Sequence, residues 1–135
     1  MALQLAVSTR NARLDAIETD TGVSAKLEIY SGAMPSNCAA ATTGTLLAEF
    51  DLASDWAAAA SGGAKALNNL PLSTTGAAAG TAGYFRLFKS DGTTCQIQGT
   101  VTATGGGGDM ILDNTSIASG QTVTVTAFTI TDGNA

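Results

Sequence analysis

Histidine is missing from all 135 residues. That removes the commonest general base and the commonest metal-ligating side chain together. No Ser–His or Cys–His nucleophile pair can be built without it. Charge is scarce as well: Asp, Glu, Lys and Arg make up 13% of the chain, roughly half the usual share. The six bases are Arg10, Arg13, Lys26, Lys65, Arg86 and Lys89, against eleven acids, for a net charge of −5. Bases so few and so scattered cannot line the basic face a nucleic acid requires. No apolar run approaches the roughly 18 residues of a membrane-spanning helix. Neither a nucleic acid nor a membrane is therefore expected as a partner. Met1–Val7 has no basic start and no apolar core long enough for a secretory leader, so cytoplasmic synthesis is expected. The only cysteines, Cys38 and Cys95, form no CxxC spacing, so no zinc site is readable. Whether they bridge depends on the fold. Cys95 is expected on an inward strand face as a small apolar residue, with Cys38 the freer, loop-borne thiol. Large core residues are few, with four Phe, two Tyr and one Trp. A thin core follows, with Trp56 as its plug.

What is present is strand sequence. Gly83–Lys89 holds Tyr84, Phe85, Leu87 and Phe88. Thr94–Thr102 alternates Cys95, Ile97, Gly99 and Val101 with Gln96, Gln98 and Thr100. Gln121–Thr131 holds Val123, Val125, Phe128 and Ile130 among threonines. Ser90-Asp91-Gly92-Thr93 joins the first two, and Asp-Gly is a strong hairpin signal because Gly accepts positive φ. Alternation with period two predicts one buried and one wet face. The last strand changes phase between Val125 and Phe128, which predicts a central position with a bulge near Ala127 or burial on both sides. Ala25–Ser31 and Thr45–Leu52 read as further strands, separated by a loop over Gly32–Gly44. Ala66–Leu72 reads as a strand broken at Pro71, and Met110–Asp113 as a short one. Ser73–Ala82 reads as a flexible loop, and the alanines after Trp56 as one or two helical turns stopped by Gly62-Gly63. The expected fold is mostly β: a single antiparallel β-sandwich or flattened barrel of about seven or eight strands.

Ahead of it stands a different element. Residues 1–22 read as an arm and a short helix, and residues 23–135 as the β-domain. Leu3, Leu5 and Val7 alternate as a strand would. Ser8 or Thr9 can cap a helix over Arg10–Thr19, with Leu14 and Ile17 on one side. The helix is charged against its own dipole: Arg10 and Arg13 sit near its start, and Asp15, Glu18 and Asp20 near its end. One reading turns these charges toward another chain; the other folds the helix onto its own sheet. On the first reading Leu3, Leu5, Val7, Arg10 and Arg13 are the candidate subunit contacts, the arm adding as a strand to a neighbour's sheet edge.

Glycine-rich stretches carry no phosphate loop. Gly62-Gly63-Ala64-Lys65 lacks the spacing and the hydroxyl, and Gly105–Gly108 leads into a strand, so it reads as a flexible loop. Asp109 and Asp113 lie four apart on one short strand, where they could hold a cation or form an acid/base pair; solvated single acids are the plainer reading. No enzyme, cofactor or metal is expected.

In overall pattern the chain resembles small virion structural proteins of tailed bacteriophages. The likeness is carried by RNARLDAIET (Arg10–Thr19), LEIYSGAMPSNCAAATTGTLLAEFDL (Leu27–Leu52) and GTVTATGGGGDMILDNTSIASGQTVTVTAFTIT (Gly99–Thr131). It covers nearly the whole length and brings no catalytic motif. It implies a non-enzymatic virion protein, most like a head decoration (cement) protein on the outer capsid lattice. The implied partners are the major capsid protein or another virion protein, and further copies of the chain. A tail, neck or fibre component, including a receptor-binding adhesin domain, is the alternative. Low charge fits such dense assembly, and it also fits a free surface kept soluble by hydroxyls and amides.

Overall fold

The computed structural model describes residues 3–133. One helix, α1 (Val7–Thr21), precedes nine strands: β1 (Lys26–Ser31), β2 (Leu46–Asp51), β3 (Ala64–Ala66), β4 (Leu72–Thr75), β5 (Gly80–Phe88), β6 (Cys95–Ala103), β7 (Met110–Leu112), β8 (Ser116–Ile117) and β9 (Thr122–Thr131). The strands form a single sheet in the order β2-β1-β5-β6-β7-β9-β3, with β4 also on β9 and β8 on β5. The sheet curls far enough to bring the β4–β5 connection against β2, where Ala77 N donates to Leu47 O at 2.7 Å. The fold is thus mostly β with one N-terminal helix, and of the expected sandwich or flattened barrel the sandwich is corrected: a single curled sheet forms a half-barrel.

The main core fills the curl. Leu27, Ile29, Leu47, Phe50, Trp56, Phe85, Leu87, Met110, Leu112, Val123, Val125 and Phe128 all belong to it. Phe85 and Phe128 meet edge to face at 5.0 Å, a favoured geometry for the ring quadrupoles. β9 is central, with β7 on one side and β3 and β4 on the other. Its pairing with β7 slips between Ala127 and Val125, so Thr126 is the extra residue. That bulge restores phase and keeps Val123, Val125 and Phe128 all in the main core.

Three local expectations are overturned. The sheet is mixed, because β7 runs parallel to β6 with Val101 opposite Met110. A parallel connection normally needs a dozen residues or more, and here six suffice. Gly105 (φ 85°) and Gly107 (φ 76°) take conformations that favour glycine, and a Cβ at Gly106 or Gly108 would meet the Thr102 side chain at 2.5–2.9 Å. The four glycines form a tight reversal whose Gly108 N–H bonds Thr102 Oγ1. The alanines after Trp56 make no helix: Ala57 bridges Leu67, and Ser61 and Ala64 exchange both main-chain bonds around Gly62-Gly63. Both glycines have positive φ, the requirement of a two-residue hairpin. Ser73–Ala82 is largely strand, because Ser73, Thr74 and Thr75 pair with Thr124, Val123 and Thr122 and β5 begins at Gly80.

Candidate functional site

The central strands are buried on both faces, unlike the half-wet sheet expected. Along β1, Leu27, Glu28, Ile29 and Tyr30 are all buried. Leu27 and Ile29 face the main core, while Tyr30, Tyr84 and Phe88 form a second cluster on the outer face, with Leu46 and Cys95 packed against it. Tyr30 and Tyr84 stack at 5.3 Å. The cover over this outer cluster is the loop of residues 32–45, and the chain fastens it in three ways.

Arg86 is the first fastening. It is 2% exposed; Nη1 donates to Ala40 O at 2.8 Å, and Nη2 to Asn37 O and to Gln98 Oε1, both at 3.0 Å. Gln98 in turn donates to Pro35 O. Tyr84 is the second, its hydroxyl donating to Thr43 O and accepting from Thr43 N. The third is covalent: Cys38 and Cys95 form a disulfide with Cα atoms 5.3 Å apart. Cys95 is therefore bridged, a pairing the sequence left open, and it lies half-buried against the outer cluster rather than buried on an inward face. Gly83 makes room for the return of the loop, since a Cβ there would stand 2.0 Å from Gly32 O.

Under the loop sits an acid that sequence reasoning overlooked. Glu28 lies opposite Arg86 across the β1–β5 ladder and accepts a hydrogen bond from the Tyr30 hydroxyl. Burial pushes its carboxyl above the usual range, against the opposing Tyr30 bond. Burial and the Glu28 carboxylate push the Tyr30 phenol up in turn. A cleft of about 320 Å³ bordered by Tyr30, Cys38, Arg86, Phe88 and Thr93 opens beside this group.

A second buried cation works at the other end of the sheet. Lys65, in β3, is 2% exposed. Its ammonium meets Asp15 Oδ1 at 2.8 Å and Glu18 Oε2 at 2.7 Å and donates to Ala58 O. Burial pulls its pKa down, but the two carboxylate bonds outweigh that and raise it. Asp15 and Glu18 also accept from Ala60 N and Ala57 N, so α1 is bonded to the Trp56–Ser61 strip as well. Leu14 is buried, and Ile17 packs on the main core.

The expected contact residues divide. Arg10 donates to Asp132 O at 3.0 Å and Arg13 pairs with the Asp132 carboxylate at 3.2 Å, while Asp15 and Glu18 answer Lys65. The charges set against the helix dipole thus find partners on the chain's own sheet, and the argument that turned Arg10 and Arg13 toward another chain is met within this one. Val7 is the first helical residue rather than the end of an arm, and Ala6, not Ser8 or Thr9, is the N-cap, with no side-chain cap bond. Leu3 is 82% exposed, and Leu5 lies in the same non-helical, non-strand stretch; residues 1 and 2, where the expected arm begins, lie outside the described residues. Asp109 and Asp113 do not converge: Asp109 accepts from Thr100 N and Thr100 Oγ1, both at 2.8 Å, and Asp113 accepts from Thr124 N. The signal for the overlooked residues was in the sequence as lone charges inside strand-forming runs: Glu28 in LEIY, Arg86 in GYFRLF and Lys65 in AKAL.

The chain matches no protein-family model, no curated protein and no solved structure.

Proposed function

We propose that this chain is a non-enzymatic structural protein of a virus particle, present in many copies. More narrowly, it is a head decoration protein of a tailed bacteriophage, bound to the outer capsid lattice and to further copies of itself. One observation supports the structural reading above the others. Both buried cations, Lys65 and Arg86, are engaged in fastening the chain's own helix and loop to its sheet. Buried charge in an enzyme is commonly turned toward a substrate; here it closes the domain on itself, with a covalent bond added. That construction suits a part that must keep its shape outside a cell, where disulfides persist. The placement on the head rests on the sequence resemblance.

The test is to image purified particles that carry an electron-dense label on this chain. Label in a regular array over the head sustains the reading. Label confined to the tail or neck moves the protein there, and particles free of the chain overturn the virion assignment. Turnover of any ester, glycoside or phosphate by the purified protein would overturn the non-enzymatic part.

A further inference from the structure

Between α1 and β1 the sequence and the shape of the chain disagree. Ala25, Leu27 and Ile29 all belong to the main core, so the odd positions here point inward. Val23 continues that alternation one step upstream and is β-branched, as strands favour. Yet the chain turns at this point. Gly22 has φ 81° and Ser24 φ 55°, and the turn leaves Val23 62% exposed. Positive φ suits glycine and is unfavourable for serine. The far end of the turn is fixed, because Ala25 is buried and its carbonyl accepts from Leu52 N at 2.9 Å. Straightened, residues 22–24 span about 10 Å, and α1 is carried off its own seat. Short connections under strain are where elements exchange between copies.

The helix is built for a seat rather than for independence. It has no side-chain cap, no acid in its first turn and no base in its last, so its own dipole does not hold it. Leu14 and Thr21 are its only buried residues. Specific polar contacts hold it instead: Lys65 to Asp15 and Glu18, Gly63 N to Asn11 Oδ1 at 2.9 Å, and Asp132 to Arg10 and Arg13. The disulfide lies elsewhere, in the loop of residues 32–45. A second copy offers the same seat with the same charges.

We propose that α1 is exchanged between two copies of this chain, each helix seated on the other copy's sheet, with residues 22–25 straightened as the hinge. The inference rests on the self-association part of the reading above and names the element that carries it. The contacts that close one chain on itself then join two. A chain's own seat has the advantage of the tether. Two gains at the hinge offset it: Ser24 leaves its positive φ, and Val23 extends the inward row of Ala25 and Leu27. The two hinges run antiparallel across a two-fold axis, so the contact is isologous and closes at two copies.

Hinge substitutions should move the equilibrium in opposite directions. In sedimentation velocity, wild-type chain refolded from urea at rising concentration should populate a dimer. Ser24→Gly accepts the turn and should weaken that dimer about a hundredfold, roughly tenfold for each hinge. Ser24→Pro forbids the turn and favours an extended Val23, so it should tighten the dimer. Charge reversal tests the exchange itself. Lys65→Glu in one copy, and Asp15→Lys with Glu18→Lys in another, set each helix against its own seat. Alone, each should show fast amide exchange along α1; mixed, each helix matches the other copy's seat, and the mixture should dimerise with α1 protected. A wild-type chain monomeric at every concentration, a Ser24→Pro chain that stays monomeric, a Ser24→Gly dimer as tight as wild type, or a mixture with α1 unprotected overturns the proposal. Should the charge-reversed copies fail to fold, the two Ser24 variants decide. Particle membership, read by imaging, is a separate result.

Discussion

Lys65 and Arg86 are both buried to 2% exposure, and each holds a segment from outside the sheet against it. They do so by different chemistry. Lys65 gathers two carboxylates of α1 around a compact ammonium. Arg86 spreads a planar fork over the neutral carbonyls of Asn37 and Ala40, a geometry an ammonium cannot match. The loop is also held covalently by Cys38–Cys95, and the helix is not. The helix attachment should therefore respond to pH, and the loop attachment to reduction.

The largest effect is expected on the loop side. The bridged cysteines are 57 residues apart, and the chain-entropy model assigns such a closure about 4 kcal/mol. Urea unfolding with and without reductant should show a loss of that order, with hydrogen exchange rising in residues 32–45. A loss under about 1 kcal/mol would mean that Arg86 and Tyr84 hold the loop unaided. Next is Arg86→Met, at about 3 kcal/mol, because it leaves the Ala40 and Asn37 carbonyls and Gln98 Oε1 without their shared donor under the loop.

Lys65→Met should cost less, about 2 kcal/mol. The orphaned carboxylates already touch water, with the Asp15 and Glu18 side chains 47% and 21% exposed. The loss should appear as faster amide exchange along α1, with residues 32–45 unchanged. Equal costs for Arg86→Met and Lys65→Met, or exchange rising in both segments in either variant, would remove the distinction between the two attachments.

How much of this was legible depends on whether the determinant was local. β1, β2, β6 and β9 were legible within a residue and β5 within three, because period-two alternation and the Asp91-Gly92 turn are local signals. The β9 bulge was legible too, since a phase change leaves a mark in the sequence. The parallel β6–β7 pairing was not, because the glycines of Gly105–Gly108 permit many paths and only Met110 and Leu112 seeking the core select one. The hairpin at Gly62-Gly63 was hidden behind alanines that favour a helix when alone. Lys65 and Arg86 were not singled out because the helix and loop groups they hold lie 46 to 50 residues away, and no local pattern encodes that distance.

The smallest expected effect separates the two attachments by sign. Lys65 and the Ala60 N–H hold Asp15 below its usual value of 3.8. Burial raises Glu18, but Lys65 and the Ala57 N–H more than offset it and hold it below 4.5. Both acids bind protons more weakly folded than unfolded, so their stabilisation is complete above those values and is lost as pH falls below them. Glu28 behaves oppositely: burial raises it above 4.5, so the folded state binds the proton more tightly. Lowering pH through its raised value toward 4.5 therefore adds stability. The thermal midpoint should rise slightly from pH 7 to about 5 and fall below about 4. Glu28→Gln should erase the rise alone, and Lys65→Met should flatten the fall alone. Trp56 fluorescence follows the helix side, because Trp56 is buried next to Ala57, whose N–H binds Glu18. A midpoint that falls steadily from pH 7, with the same slope in Lys65→Met, would show that neither Glu28 nor the Lys65 cluster sets the acid response.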